Sequence, residues 1–92
     1  MIKSFADKEL EKLFRRKHSR TPEKLHTRVR QILAVMSGAT RLDDLASIPG
    51  GYLEPLKGKR RHQHSIRVSG NWRLCFEWKD GDIYGLELID YH

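Results

Sequence analysis

Apolar residues recur at two different periods along these 92 residues, and the period changes near the middle of the chain. In the first half Leu10, Leu13 and Phe14 share one face at helical spacing, as do Leu25, Val29, Ile32, Leu33 and Met36. Asp7 stands where the first helix needs a cap. Thr21-Pro22 offers a cap and a first-turn proline to the second helix, and Gly38 supplies its stop. Leu42 and Leu45 around Asp43-Asp44 predict a helical turn or loop, and Ile48-Pro49-Gly50-Gly51 then breaks the chain. Beyond that break the period becomes two. Ile66 and Val68 flank Arg67, while Trp72, Leu74, Phe76 and Trp78 alternate with Arg73, Cys75, Glu77 and Lys79. Residues Ile83 to Asp90 are apolar on both faces (Tyr84, Leu86 and Leu88 against Ile83 and Ile89), which suits a central strand. Ile2 to Phe5 reads as a short strand, and Tyr52 to Leu56 as an edge or irregular one because it contains Pro55. The expected architecture is a single α+β domain, residues 1–92, with a small antiparallel sheet and two N-terminal helices packed on one face.

The alternation also predicts register. If Ile66, Val68, Trp72 and Leu74 all face the core, a two-residue Gly70-Asn71 turn would pair Ser69 with Trp72 and mix the faces. A three-residue loop, Ser69-Gly70-Asn71, instead pairs Val68 with Trp72 and Arg67 with Arg73. The same parity applied to Asp80-Gly81-Asp82 pairs Lys79 with Ile83, Arg73 with Ile89 and Asn71 with Tyr91. Arg67, Arg73 and Tyr91 then share the face away from the helices. Two arginines directly opposite one another repel by some tenths of a kcal/mol unless an anion lies between them. Glu54 and Asp90 are the local candidates for that anion, and a phosphate suits a pair of guanidinium forks better.

Composition supports a folded, basic protein. Hydrophobic residues are 38% and charged residues 33% of the chain, with eight aromatic rings, which argues against disorder. No apolar run reaches the roughly 20 residues of a membrane span, and the opening residues have no signal-peptide core. Cys75 is the one cysteine, so an internal disulfide is excluded and a reducing cytoplasm is the expected compartment. The net charge of +6 favours a polyanionic partner. Residues 55–76 carry Lys57, Lys59, Arg60, Arg61, Arg67 and Arg73 with no acid, while Arg15, Arg16 and Lys17 form a second cluster between the helical patterns. Arg28 and Arg30 read as the solvated face of the second helix, the usual place for such charges, with antitoxin or RNA contact as the alternative.

The chemistry is narrowed by what the sequence lacks. Its glycines lie in sheet turns, so no strand–glycine–helix phosphate loop is present. Asp43-Asp44 and Asp80/Asp82 read as turn and cap residues rather than a two-metal carboxylate cluster. Cys75 has no evident base and reads as a small strand residue. The remaining candidate is acid–base chemistry on a phosphodiester without metal or other cofactor: RNA brings its own 2′-hydroxyl nucleophile, and the protein supplies a base, an acid and cations. His92, beside Tyr91 at the end of the last strand, can carry a proton near neutrality.

The stretches Leu53-Glu54-Pro55-Leu56-Lys57-Gly58, His64-Ser65-Ile66-Arg67-Val68, Asn71-Trp72-Arg73-Leu74-Cys75-Phe76 and Asp90-Tyr91-His92 resemble the HigB-type toxins of the RelE superfamily, as does the opening Met1-Ile2-Lys3-Ser4-Phe5. The resemblance implies a RelE-like, microbial-ribonuclease-like fold and cleavage of mRNA in the ribosomal A site. It also implies a cognate helix-turn-helix (HigA-type) antitoxin, through which alone the toxin would reach operator DNA. Carried over, Arg73 would hold the scissile phosphate, Tyr91 and His92 would position the nucleotide or move protons, Asp90 would orient them, and Lys57 would add positive charge. Glu54 stands where several relatives have histidine, so the chain either lacks one proton carrier or uses this carboxylate as base, and His92 could serve as base or as acid. Arg67 would assist Arg73, and Lys59, Arg60, Arg61, Arg15, Arg16 and Lys17 would dock ribosomal RNA. Two rivals are a gyrase-poisoning toxin of the same fold, which the Tyr-His ending disfavours, and a non-enzymatic RNA-binding module. The latter is disfavoured because Trp72, Phe76 and Trp78 alternate inward.

Overall fold

The computed structural model describes residues 1–91; His92, a proton-carrier candidate, lies outside the described residues. Helix α1 spans Lys8–Phe14, α2 His26–Gly38 and α3 Leu42–Ala46, followed by strands β1 Glu54–Pro55, β2 His64–Ser69, β3 Trp72–Lys79 and β4 Asp82–Asp90. Short 3-10 turns at Glu23–Leu25 and Gly58–Arg60 precede α2 and β2. The sheet runs β1-β2-β3-β4 with every pair antiparallel. Ile2 and Phe5 add parallel bridges to Ile83 and Leu86 on the far side of β4. No helix of the described residues is long and apolar enough to cross a membrane.

Both apolar periods converge on one core. Leu10 and Leu13 of α1, and Val29, Ile32, Leu33 and Met36 of α2, are buried with Ile66, Leu74, Phe76, Ile83 and Leu86 of the sheet. Asp7 caps as its position predicts: one carboxylate oxygen accepts from the Glu9 and Leu10 amides (3.0 and 3.1 Å). The other accepts from the Leu88 amide at 3.2 Å, so this side chain also ties the helix layer to β4. Pro22 sits one step earlier than expected. It precedes the 3-10 turn, α2 begins only at His26, and the His26 ring Nε2 lies 2.7 Å from the Thr21 carbonyl oxygen. Arg28 is half-buried rather than simply solvated. It reaches from α2 to donate to the carbonyls of Pro49 (2.6 Å) and Val68 (3.4 Å), satisfying acceptors where the Pro-Gly-Gly break leaves no ladder. The candidate strand at Tyr52 to Leu56 narrows to Glu54–Pro55, an edge pair, as a proline requires.

The hairpins reach the expected register by another route. Arg67 does oppose Arg73, and Arg73 opposes Ile89. Both loops, however, are two-residue turns, with Ser69 opposite Trp72 and Lys79 opposite Asp82, not Val68 opposite Trp72 or Lys79 opposite Ile83. Asp80 and Gly81 both have positive φ (51° and 82°), the geometry that matches a tight turn to strand twist. The parity that such turns would spoil is restored by irregularities, one between Arg67 and Ser69 and one on β4 around Gly85, whose φ is 63°. The second places both Ile83 and Leu86 in the core, which explains why this strand looks apolar on both faces.

His64, opposite Phe76, stacks on its ring at a centroid distance of 6.1 Å. Its Nδ1 is buried with no hydrogen-bond partner among the described residues, and burial lowers its pKa. The unfolded chain therefore takes up this proton at a higher pH than the folded one. The stability linked to neutral His64 is complete above the unfolded value of about 6.5 and is lost as pH falls through it toward the lower folded value. Urea unfolding at pH 7.5 and 5.5 should show a smaller loss of stability for His64→Phe than for the parent. An identical pH slope for both would assign that loss to other groups.

Candidate active site

The core-facing alternation of Ile66, Leu74 and Phe76 forces the intervening residues onto the opposite side of the sheet. Cross-strand pairing then builds two adjacent rows there. One runs Arg67–Arg73–Ile89, and the other Glu54–Ser65–Cys75–Glu87 across all four strands. Tyr91, past the end of β4, donates its amide to the Asn71 carbonyl at 2.8 Å, and its phenol turns back to lie 3.6 Å from the Cys75 sulfur. That fold-back helps explain how Cys75 is fully buried on the face away from the helices.

Arg73 is held in place. Its Nη1 donates to Glu54 Oε1 at 3.0 Å and to Ser65 Oγ at 3.2 Å, and its side chain retains 24% exposure. Glu54 is thus the anion that relieves the arginine pair. Asp90, the other candidate, opposes Trp72 on the helix-side face and lines a shallow depression with Lys24, Asn71 and Trp72. A second guanidinium enters from the loop before β2, where Arg60 Nη1 donates to Glu87 Oε1 and to Gln63 Oε1, both at 3.0 Å. Arg60, expected on an outer docking surface, instead reaches across the open face. Glu87 holds its guanidinium more firmly protonated than usual.

The phenol and the thiol are both kept protonated. The hydrogen bond with Cys75, then burial, push the Tyr91 phenol upward, while Arg60 and Arg73 pull the other way without prevailing. Burial chiefly pushes the Cys75 thiol up, so it is no thiolate nucleophile.

The other basic residues fall elsewhere. Lys57, Lys59 and Arg61 are exposed on the loop between β1 and β2, with Arg61 reaching the Gly58 carbonyl at 3.4 Å. Arg67 is exposed beside Arg73. Arg15, paired with Glu11 at 3.1 Å, and Arg16 and Lys17 belong to the α1–α2 connection in the helix layer, not to this face. Sequence reasoning missed Ser65, Gln63 and Glu87. Ser65 and Glu87 share their row with Cys75, so the parity that paired Arg67 with Arg73 also locates them; the bend that delivers Arg60 to Glu87 leaves no periodic signal.

A four-stranded antiparallel sheet with helices on one face and a paired-arginine, tyrosine-bearing open face defines a small cationic α+β protein suited to binding a phosphodiester. The family model described as the RelE-like toxin of the type II toxin-antitoxin system HigB matches residues 3–92. Endoribonuclease HigB of Proteus vulgaris is 39% identical over 93 residues, covering 100% of both chains. Toxin HigB-1 of Vibrio cholerae serotype O1 is 32% identical over 83 residues, covering 88% of this chain and 87% of its own. The chain belongs to the HigB-like family of RelE-like toxins of type II toxin–antitoxin systems. A toxin of this type has an antitoxin as its partner.

Proposed function

We propose that this toxin is an endoribonuclease that cleaves mRNA in the ribosomal A site without a metal ion, and that a helix-turn-helix antitoxin neutralises it in the cytoplasm. The observation that carries the reading is the convergence of Arg73 and Tyr91 on one open face: the phenol lies 3.6 Å from the sulfur of Cys75, which stands two residues beyond Arg73 on the same side of β3. The name of the full-length Proteus relative supports the same activity.

In this mechanism the 2′-oxygen attacks phosphorus, the O2′–P bond forms and the P–O5′ bond breaks. The 2′ proton passes to a base, for which this sequence offers His92 and Glu54, and the leaving 5′ oxygen takes a proton from protonated His92 where Glu54 is the base, or from water where His92 is. Arg73, assisted by Arg67, bears the charge that grows on the equatorial oxygens, and Tyr91 donates to one of them. Glu54 occupies Arg73 until RNA arrives. Exposed ion pairs are worth about 0–1 kcal/mol, whereas each hydrogen bond to a charged group contributes about 1.5–3 kcal/mol. A phosphate therefore displaces the carboxylate at little cost. The ribosome contributes by holding the codon with its 2′-hydroxyl in line. Lys57 adds local positive charge, and Lys59, Arg61, Arg15, Arg16 and Lys17 dock the toxin on ribosomal RNA.

The test is to incubate purified toxin with mRNA-programmed ribosomes and determine both new ends. Cleavage should leave a 2′,3′-cyclic or 3′-phosphate, should require the ribosome, and should fail at a codon carrying 2′-deoxyribose at the scissile position. Products ending in 3′-hydroxyl, or cutting of the deoxy codon, would contradict the proposed attack.

A further inference from the structure

Among the clustered cations of the β1–β2 loop, one behaves differently from its neighbours. Lys57, Lys59 and Arg61 are exposed, but Arg60 is drawn over the open face and held at Nη1 by Glu87 and Gln63, each at 3.0 Å. Its pairing mirrors that of Arg73 with Glu54, also at 3.0 Å. The two acids occupy the ends of a single cross-strand row, on β1 and β4, with buried Cys75 between them and the Tyr91 phenol on its sulfur. A docking arginine gains nothing from such an arrangement, since a mobile side chain tracks an RNA backbone equally well. Guanidinium groups held toward the two ends of that row, Arg73 by Ser65 once a phosphate has displaced Glu54 and Arg60 by Glu87, form a cradle for one phosphate, because charges already in place need little reorganisation as the transition state forms. The bonds at Nη1 use only part of the five-donor fork, and 44% of the Arg60 side chain remains exposed.

We propose that Arg60 is a second phosphate-contacting catalytic residue, set opposite Arg73 across Tyr91, and that Glu87 is the positioning residue that holds it there. This deepens the ribonuclease reading and rests on it. Arg60 takes a non-bridging oxygen of the scissile phosphate, and Glu87 retains its hold on the guanidinium throughout the reaction.

The experiment is single-turnover cleavage of ribosome-bound mRNA over a range of toxin concentrations, so that the saturating rate and the half-saturating concentration separate. Arg60→Ala should lower the saturating rate about 10²-fold, the scale of a lost transition-state donor, with little change in half-saturation. Arg60→Lys should recover only part of it, since an ammonium cannot reproduce the fork. Glu87→Gln should lower the rate less, and should add nothing when combined with Arg60→Ala. Lys59→Ala, at a docking residue, should act chiefly by raising the half-saturating concentration. If Arg60→Ala behaves like Lys59→Ala, or if Glu87→Gln slows the Arg60→Ala protein as much as it slows the parent, the assignment is overturned. Thermal melting identifies a misfolded Arg60→Ala protein, in which case the rate of folded Arg60→Lys decides: full parental rate refutes the role. Parent toxin and Arg73→Ala run alongside. A parent that cuts, with Arg73→Ala impaired and Arg60→Ala unimpaired, sinks this inference alone, whereas a parent that cuts nothing sinks the ribonuclease reading beneath it.

Discussion

Arg73→Ala is expected to reduce mRNA cleavage by about 10²-fold or more while leaving the fold nearly as stable as before. The rate effect follows from the position of the guanidinium on the central strand β3, bonded to Glu54 and Ser65 and flanked by Arg67 and Ile89. Removing one preorganised donor to a developing anion costs on the order of 2.7–4 kcal/mol of barrier. The stability effect is small because the side chain keeps part of its surface in water, and a partly exposed ion pair contributes about 0–1 kcal/mol. Relief of the Arg67–Arg73 repulsion offsets some of even that. The contrast makes the measurement decisive: single-turnover rates and urea midpoints are read on the same preparations. Arg73→Lys should remain well below the parent, because a point charge cannot bind two oxygens as a fork does. A variant that loses stability in step with activity would make Arg73 a structural residue and remove it from the mechanism.

The largest loss of stability is expected from Phe76→Ala. Phe76 is fully buried, stacks with His64 and faces the helices from the strand that carries Arg73. Truncating a buried phenylalanine costs about 3–5 kcal/mol through lost transfer energy and the cavity left behind. Typical domains have only about 5–15 kcal/mol in total. At about 4–8 °C per kcal/mol for a chain of this size, the melting temperature should fall by at least about 12 °C. Phe76→Leu keeps most of the volume and should lose about 1.5 kcal/mol or less. Phe76 also opposes the β4 irregularity at Gly85 and Leu86, so the hole opens where two residues of one strand face one of the other. Equal melting temperatures for the parent and Phe76→Ala would mean that this part of the core is loosely packed.

Several elements were legible in the chain because their signal is local. The apolar faces of α1 and α2 are the buried ones, and Asp7 caps where an aspartate before a helix should. The cross-strand meeting of Arg67 with Arg73, and of Asn71 with Tyr91, followed from period-two parity. The turn lengths did not, because a bulge restores parity as effectively as a longer loop, and alternation cannot distinguish the two. Asp-Gly and Gly-Asn were in fact direct signals for two-residue turns. Arg28 was misplaced because its partners are carbonyls of distant loops, which no helical wheel contains.

The candidate site divides in the same way. The order of side chains along each strand settles which of them share a face: Arg67, Arg73, Cys75 and Glu87 on one side, Leu74, Phe76 and Asp90 on the other. Alternation is a property of the backbone, and it survives whatever the strand packs against. Which of several neighbouring cations reaches over the open face was decided only by the folded chain. A 3-10 turn carries Arg60 to Glu87 while Lys59 and Arg61 remain in solvent, and the Tyr91 ring folds back over Cys75. Those contacts join residues 27 and 16 positions apart. They depend on where the sheet ends and the loop bends, so no spacing rule within one segment contains them.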